Sequence, residues 1–571
     1  IFFWEFGPTG KTTGIFGDGL ALALGFVLSC ILFEDDHLLA IEKPPGVNTH
    51  SPSPFAGQGI YEWLKCREPR WSSLAIIHRL DKDTSGILLF SKTPLANRSL
   101  TAQFESREVK KTYLLLTDRK PAQSEFEVKS HIERAGERYR SVIGSSKAAD
   151  AITRFRVAGP NTQAAFSSGV AREQFLIEVK PFTGKTHQIR VHAGERGIPI
   201  LGDSLYGGTP APRVYLHGAR LELTHPETGK ALVFESAPRF TTSAADWVRR
   251  GFVDEGETDA FRLRHGASDG FPGWYVEQHG KYLLSQSAGR PLSAEQTLEL
   301  GRLVKARSAQ GACHKILERK IAGKSVEDLS PELVIGESPP LRFEVKENGV
   351  KFLNSFNEGY SCGLFLDQRE NRRRLLTGYI APGFRLGPAW PVAPESTNAP
   401  QVLNTFAYTC AFSVCAALAG CRVTSLDLSR KYLDWGRQNF EQNKLDPNVH
   451  DFIYGDVFEW LGRLTRKDKA YDVIILDPPT FSRSKNGTFH AEKNYEDLIK
   501  AALPLLKSGG VMLAATNAAN WRPEDFVATI EKSIREGKRT LTQSFYVPQP
   551  PDFPISKNEP AYLKTFWARI G

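Results

Sequence analysis

Apolar positions follow two rhythms along the chain. From residue 31 to about 240 they come as short runs broken by Pro, Gly and Asp, the pattern of strands joined by turns. Ile31-Leu32-Phe33-Glu34-Asp35-Asp36-His37-Leu38-Leu39-Ala40-Ile41 reads as strand, turn, strand, and Lys43-Pro44-Pro45-Gly46 breaks it. Residues 87–90 are an unbroken apolar run, which predicts a buried strand, and 110–116 are rich in strand formers. At 180–192 a Gly turn leads into what the pattern predicts as another strand. Composition shifts near Thr241 to charge-rich sequence, and residues 291–306 read as a helix. From Val402 onward the rhythm changes. Strands at 402–406, 423–426 and 473–476, a further one ending at Tyr454, and one at 511–515 alternate with helical segments, the first a small-residue helix at 415–420. That alternation predicts a doubly wound α/β sheet. Residues 388–401, rich in Pro, Ala and Ser, predict a surface insertion.

Length and composition bound the answer. A chain of 571 residues is too long for one core, so two to four domains are expected. With 41% hydrophobic and 24% charged residues it is ordinary globular protein, and a net charge of +9 favours polyanionic partners. Seven scattered cysteines form no pairing or zinc-ligand framework, so they read as small buried residues in a reducing cytoplasm, with no metal expected. Residues 1–30 stand apart as a tail. Residues 15–30 are signal-like in outline, Val27-Leu28-Ser29-Cys30 is similar to a lipoprotein cleavage site, and Gly7-Pro8-Thr9-Gly10-Lys11-Thr12 has the look of a phosphate loop. The favoured reading is a truncated or mis-started frame, with no membrane partner.

Three motifs carry the chemistry of the first half. His78-Arg79-Leu80-Asp81-Lys82-Asp83-Thr84-Ser85-Gly86 sets one acid between cations and a small-residue turn. Lys110-Lys111-Thr112-Tyr113 opens a strand. Lys180-Pro181-Phe182-Thr183-Gly184-Lys185-Thr186-His187-Gln188-Ile189-Arg190 crowds polar groups on a Gly turn. Taken singly, each reads as a solvated turn or a half-buried tyrosine. Together and in this order they resemble RluA-like pseudouridine synthases, over residues 31–238. By that resemblance Asp81 is the catalytic aspartate, Arg190 pairs with it, and Tyr113 stacks on the target base and helps proton transfer. Arg79, Lys185, His187 and Gln188 contact RNA, with Lys185 standing where the family usually has Arg. The uridine must be flipped out of its stack for its glycosidic bond to be cleaved and rejoined through carbon, and no cofactor is needed. Leu201-Gly202-Asp203-Ser204-Leu205-Tyr206-Gly207 and Leu216-His217-Gly218-Ala219-Arg220-Leu221 also look like family landmarks.

The second half resembles class I S-adenosylmethionine-dependent ribosomal-RNA methyltransferases of the RlmI and RlmK kind, over about 255–571. Phe261-Arg262-Leu263-Arg264-His265-Gly266 opens a pattern like their small N-terminal domain, and Arg302, Lys305, Lys315, Arg319 and Lys320 would add basic surface. Phe365-Leu366-Asp367-Gln368-Arg369 borders the cofactor pocket in that family, which implies that Asp367 and Arg369 hold the cofactor's amino-acid end or its loop. Asn404, Phe406 and Tyr408 follow the first strand. Cys410 stands where relatives often have Gly. Asp427, at the end of the next strand, is placed to bind ribose hydroxyls, and Asp456 borders the adenine. Asp477-Pro478-Pro479-Thr480-Phe481 is the substrate-facing loop, with Asp477 also at the cofactor, the prolines fixing the backbone and Phe481 stacking on RNA. Carbon-5 methylation of cytosine needs a Cys nucleophile. Thr516-Asn517 occupies the place where such relatives carry Cys, so the pattern looks more like guanine-nitrogen methylation.

The sequence therefore predicts an α+β pseudouridine synthase domain with a mixed, mainly antiparallel sheet, followed by a Rossmann-like α/β methyltransferase with a small α+β subdomain. The expected boundaries are 1–30, 31–238, 239–345 and 346–571. The expected function is bifunctional RNA modification with S-adenosylmethionine as cofactor of the second half and structured RNA, foremost ribosomal RNA, as partner. Two alternatives stand beside it. One module is active and the other is an RNA-binding platform, or the chain is a non-enzymatic ribosome-assembly factor.

Overall fold

The computed structural model describes residues 28–57, 59–142, 150–158, 173–317, 329–359, 361–388, 390–392, 398–484 and 487–571. The phosphate-loop and signal-like readings at residues 7–27, the basic residues Arg319 and Lys320, and most of 393–401 fall at least partly outside these.

The first module is built on an eleven-stranded sheet. Its main path runs Ile31–Glu34, Leu38–Lys43, Ser85–Ser91, Leu216–Thr224, Lys110–Thr117, Phe175–Pro181, Ala151–Val157, Glu125–Ala135, Arg138–Val142. All its pairs are antiparallel except one, between Ser85–Ser91 and Leu216–Thr224. The two strands Leu38–Lys43 and Ser85–Ser91 are buried on both faces. Leu39, Ile41, Leu88 and Phe90 join a core with Trp63 and Trp71, whereas Leu38, Ala40, Ile87 and Leu89 join another under the helix Pro94–Glu105. Continuous apolar runs are what such two-sided burial requires. Gly86 is held at φ +123°, and a Cβ there would lie 2.3 Å from the Gly218 carbonyl oxygen, so the parallel crossing beside Asp81 needs glycine.

Two readings of this half are corrected. Residues 188–195 are a helix, not a strand, entered through His187 at φ +56°. Ile189 and Val191 favour strands locally, but Gln188 turns back to accept from Thr183 Oγ and the Lys185 amide, and closes the turn that starts the helix. Cys30 is buried in the first core, with its thiol pushed up to about 12 by burial, and so is no exposed processing site.

The helix Ala244–Phe252 leads to a five-stranded sheet, Ala260–His265 through Glu332–Gly336, crossed by the helix Ala294–Ala306. Its strands pair in chain order. Lys315 is buried in this sheet rather than adding basic surface, and Arg302 is tied to Glu299 and Asp246. The last sheet has seven strands: Gln401–Thr405, Arg422–Asp427, Asp451–Tyr454, Tyr471–Leu476, Leu506–Thr516, Leu541–Pro548 and Lys564–Ile570. Their spatial order is third, second, first, fourth, fifth, seventh, sixth, with only the seventh antiparallel to its neighbours. The first and fourth strands are neighbours although two strands intervene in sequence, and ligands bind at such a switch point in open parallel sheets. At the start of the expected insertion, Trp390 is buried against Gly378 and donates to the Leu375 carbonyl at 2.6 Å, so the segment is anchored there rather than lying wholly on the surface.

The two halves meet over the helix Ile60–Arg67. Its last carbonyls, of Cys66 and Arg67, accept from Arg373 of the buried helix Arg369–Thr377, and Arg67 pairs with Glu370 at 3.2 Å. Tyr379 donates to the Lys65 carbonyl at 2.7 Å. The free carbonyls of a helix C-terminus attract cations, and here the cation comes from the other module.

Candidate active sites

Asp81 lies on the loop between the short strand Ala75–Ile76 and the buried strand Ser85–Ser91. Arg190 Nη1 donates to Asp81 Oδ2 at 3.4 Å. The rest of that guanidinium is engaged by Asp203, Nε to Oδ2 at 2.7 Å and Nη2 to Oδ1 at 2.9 Å, and Asp203 is itself almost fully buried. A two-pronged pair of this kind fixes the plane of the arginine, so Arg190 presents one nitrogen to Asp81 in a set direction. His187 Nε2 lies 3.8 Å from Asp81 Oδ2, and its Nδ1 is 2.8 Å from Tyr206 Oη. Tyr113 sits on the strand Lys110–Thr117 opposite Gly218. Burial and the Asp81 charge both push its phenol above its ordinary value.

Sequence reasoning found Asp81, Tyr113, Arg190 and His187, and the fold brings them together. It did not find Lys43, Asp203 as the partner of Arg190, Tyr139 or Tyr206. Lys43 is fully buried and donates to the carbonyls of Pro44, Val47 and Lys82, which pins the loop next to Asp81; burial pulls its ammonium down to about 7. No local pattern marks a lysine at a strand end for this task. Of the expected RNA contacts, Arg79 is exposed and Lys185 is on the surface, paired with Asp150 at 2.8 Å. Gln188 is not available as an RNA contact. It is buried, and its amide is consumed by Ile152, Thr153, Thr183 and Lys185. His78, at the head of the first motif, is structural too. It accepts from the Leu89 amide and is driven down to about 3 by burial, so it stays neutral.

The second site is a cavity of about 590 Å³ at the switch point. Asp367, Gln368, Phe406, Tyr408, Asp427, Asp456, Phe458, Asp477, Pro478, Pro479 and Asn517 are among its lining. Four carboxylates line it and no Lys, Arg or His does, among the described residues. Asp427 is fixed from both sides, its Oδ2 accepting from the Tyr408 amide and its Oδ1 from the Ser429 amide, each at 2.8 Å. Asp456 caps the helix Val457–Arg466. Gln368 Nε2 donates to Asp477 Oδ2 at 3.1 Å, and Thr480 Oγ donates to Asn517 Oδ1 at 2.6 Å. Burial, and then Asp367, push Asp477 up to about 7. Such a lining suits a ligand with positive charge, an apolar ring and a diol. S-adenosylmethionine has a sulfonium, an ammonium, an adenine and a ribose, so the residues fit it.

The loop after the first strand replaces glycine with Phe406, Tyr408 and Cys410, all at positive φ. The Cys410 side chain has room because the facing residue is Gly436, where a Cβ would stand 2.4 Å from its sulfur. The tight turn is therefore made without the usual glycine, which is stored on the neighbouring helix. Two expected cofactor residues are corrected. Arg369 points away from the cavity and makes a buried two-pronged pair with Asp552, at 2.6 and 2.9 Å. Asn404 is buried and donates to Ser413 Oγ, tying the first strand to the helix Ala411–Leu418. Phe365 and Gln368, from the segment expected to border the pocket, line it together with Asn517, and Asn494 takes a place there that the motif reading did not give it. Phe481 is exposed on a hairpin beside the cavity, outside its lining. None of the seven cysteines lines the cavity, and all are buried and free. No cluster of His, Cys, Asp or Glu suited to a metal occurs among the described residues.

These folds and sites define a two-part enzyme, an RNA pseudouridylate synthase module joined to an S-adenosylmethionine-dependent methyltransferase. The profile of the RNA pseudouridylate synthase family matches residues 37–195, and that of the S-adenosylmethionine-dependent methyltransferases matches 289–569. Ribosomal RNA large subunit methyltransferase I of Escherichia coli O139:H28 is 31% identical over 416 residues, 71% of this chain and 94% of that protein. YwbD of Bacillus subtilis is 32% identical over 311 residues, 54% of this chain and 74% of YwbD. Among solved structures, human RNA Pseudouridylate Synthase Domain Containing 4 is 24% identical with a TM-score of 0.30, covering 38% of this chain and 92% of its own. The SAM-dependent methyltransferase of Agrobacterium tumefaciens is 18% identical with a TM-score of 0.40, covering 55% and 91%. The chain belongs to the S-adenosylmethionine-dependent methyltransferase family and carries an RNA pseudouridylate synthase domain at its N-terminal side. No helix among the described residues is long and apolar enough to cross a membrane.

Proposed function

We propose that the chain is a bifunctional RNA-modifying enzyme that isomerises uridine to pseudouridine at Asp81 and methylates a base through the cavity at Asp477, with ribosomal RNA as substrate. The observation that carries this reading is the survival of two separate, chemically complete sites: Asp81 with Arg190 and Tyr113, and an acid-lined cavity that fits S-adenosylmethionine. The ribosomal substrate is supported by the names of the relatives, large-subunit ribosomal RNA methyltransferases. In the first site Asp81 is the nucleophile or base and Arg190 its oriented counter-ion, while Tyr113 packs against the flipped base. Exposed Arg79 and Lys185 meet phosphates, and His187 stands at the reacting atoms. In the second, Asp367, Asp427 and Asp456 hold the cofactor, and Phe406 and Tyr408 flank it. The methyl acceptor is a nitrogen. Carbon-5 of a pyrimidine needs a thiolate to activate the ring, and no cysteine reaches the cavity. The rigid Asp477-Pro478-Pro479 turn aligns a nitrogen lone pair with the methyl group.

The test uses ribosomal RNA transcribed without modifications. Wild type is expected to release tritium from 5-tritiated uridine and, with S-adenosylmethionine present, to yield a methylated purine on nucleoside analysis. Asp81→Ala should abolish only the first product. Release without methylation, alongside no calorimetric binding of S-adenosylmethionine, would instead favour an active synthase with the second half as an RNA platform. A methylated pyrimidine carbon would sink the nitrogen assignment.

A further inference from the structure

Two loops of the second cavity follow neighbouring strands. One leaves Tyr471–Leu476 and carries Asp477, Pro478 and Pro479. The other leaves Leu506–Thr516 and carries Asn517, and all four residues line the cavity. A direct bond clasps the loops, Thr480 Oγ donating to Asn517 Oδ1 at 2.6 Å. Asn517 is exposed, and nothing among the described residues accepts from its Nδ2. Its oxygen is thus engaged, while the N–H bonds of its amide are free at the cavity.

Asn517 is bracketed by anchored backbone. On its N-terminal side, Tyr495 of the helix Ala491–Ala502 is fully buried. Its Oη lies 2.8 Å from the Ala515 carbonyl oxygen and 2.9 Å from that of Leu476, so one hydroxyl spans the ends of both strands. On the other side, Lys564 Nζ donates to the Ala518 carbonyl at 2.7 Å and to that of Tyr562 at 3.0 Å. Lys564 pairs with Thr516 across the last two strands of the chain's final parallel run, next to Asn517 in sequence. It is fully buried and makes no ion pair among the described residues. A buried ammonium with no carboxylate beside it adds little stability. What it contributes here is a fixed loop, as Lys43 does next to Asp81.

We infer that Asn517 holds the methyl acceptor through its amide nitrogen, and that Lys564 is the positioning residue that sets Asn517 in place. This rests on the methyl-transfer reading of the cavity. A donor at this point favours a base that turns a carbonyl oxygen to the protein beside its reacting nitrogen. Guanine shows O6 beside N7, whereas adenine shows an amino group there, which would meet the hydrogens of the amide.

The test uses the full chain with unmodified ribosomal RNA. Calorimetry on wild type comes first. No binding of S-adenosylmethionine would overturn the methyl-transfer reading and this proposal together, whereas the outcomes that follow bear on the proposal alone. Asn517→Ala and Lys564→Met should each keep S-adenosylmethionine affinity and lose about 10- to 10²-fold in single-turnover methyl transfer. The double variant should be no slower than Asn517→Ala, because Lys564 acts through Asn517. Thr480→Val, an exposed change that releases the clasp from the other side, should repeat the loss whether or not Lys564→Met folds. With 2-aminopurine, which lacks O6, at the mapped guanine, wild type should slow by the factor that Asn517→Ala loses on guanine, and Asn517→Ala should slow no further. A wild-type rate in Asn517→Ala, or a methyl mark on adenine, would overturn the proposal. So would losses that multiply in the double variant, or a Lys564→Met that loses its affinity for S-adenosylmethionine, either of which would make Lys564 structural only.

Discussion

Asp81 and Asp477 are the same residue type, each on a loop beside a buried strand, yet their surroundings are opposite. Asp81 faces the guanidinium of Arg190 and the imidazole of His187. Asp477 faces a second carboxylate, Asp367, in a cavity with no basic side chain in its described lining, and rises to about 7. The first site sets an acid beside a fixed guanidinium, the setting for a polyanionic substrate. The second repels anions and gathers a sulfonium. Environment, more than residue identity, assigns the chemistry.

The comparison can be broken in order of expected effect. Asp81→Asn keeps the shape but removes the charge, and isomerisation should fall by at least about 10³-fold while methyl transfer is untouched. An equal loss of both activities would mean that the sites are not separate. Asp477→Asn should lower methyl transfer about 10²-fold or more, with isomerisation intact. It should also flatten a pH effect on stability. The folded value of Asp477, about 7, lies above that of an unfolded carboxylate near 4, so the stability it lends is complete below about 4 and is lost as pH rises through 7. Denaturation curves from pH 4 to 8 should show wild type losing stability that the Asn variant keeps, by up to a few kcal/mol.

Arg373→Ala tests how far the two halves are one body. It removes the cation from the carbonyls of Cys66 and Arg67 and from Glu370. A loss of about 3 kcal/mol is expected, with one melting transition splitting into two. A single unshifted transition would show the seam to be incidental. The smallest effect sharpens the substrate side. Phe481→Ala should weaken RNA binding at the second site about tenfold and leave S-adenosylmethionine affinity unchanged, because Phe481 lies outside the cavity lining.

Much of this was legible in the sequence. Strands with continuous apolar runs, such as those before Asp477 and after Gly86, identified themselves, and motif order located Asp81, Tyr113 and Arg190. What was hidden depended on distant partners. Arg369 sits in a cofactor-bordering motif, but Asp552, 183 residues on, claims its guanidinium. Gln188 looked like a surface contact until the fold folded its amide back onto Thr153 and Thr183. The helix over 188–195 overrides two β-branched residues because Gln188 closes its first turn, a tertiary preference that no local pattern carries. Cys410 could stand in a left-handed turn only because Gly436 makes room.

The central claim is that one chain carries two independent base-modifying sites. Its most direct test is nucleoside mass mapping of unmodified ribosomal RNA treated with wild type, Asp81→Ala and Asp477→Asn, each with S-adenosylmethionine. The account predicts pseudouridine and one methylated base from wild type, loss of pseudouridine alone from the first variant, and loss of the methyl mark alone from the second. Wild type leaving either mark absent on every ribosomal RNA tried, or either variant losing both, would contradict it.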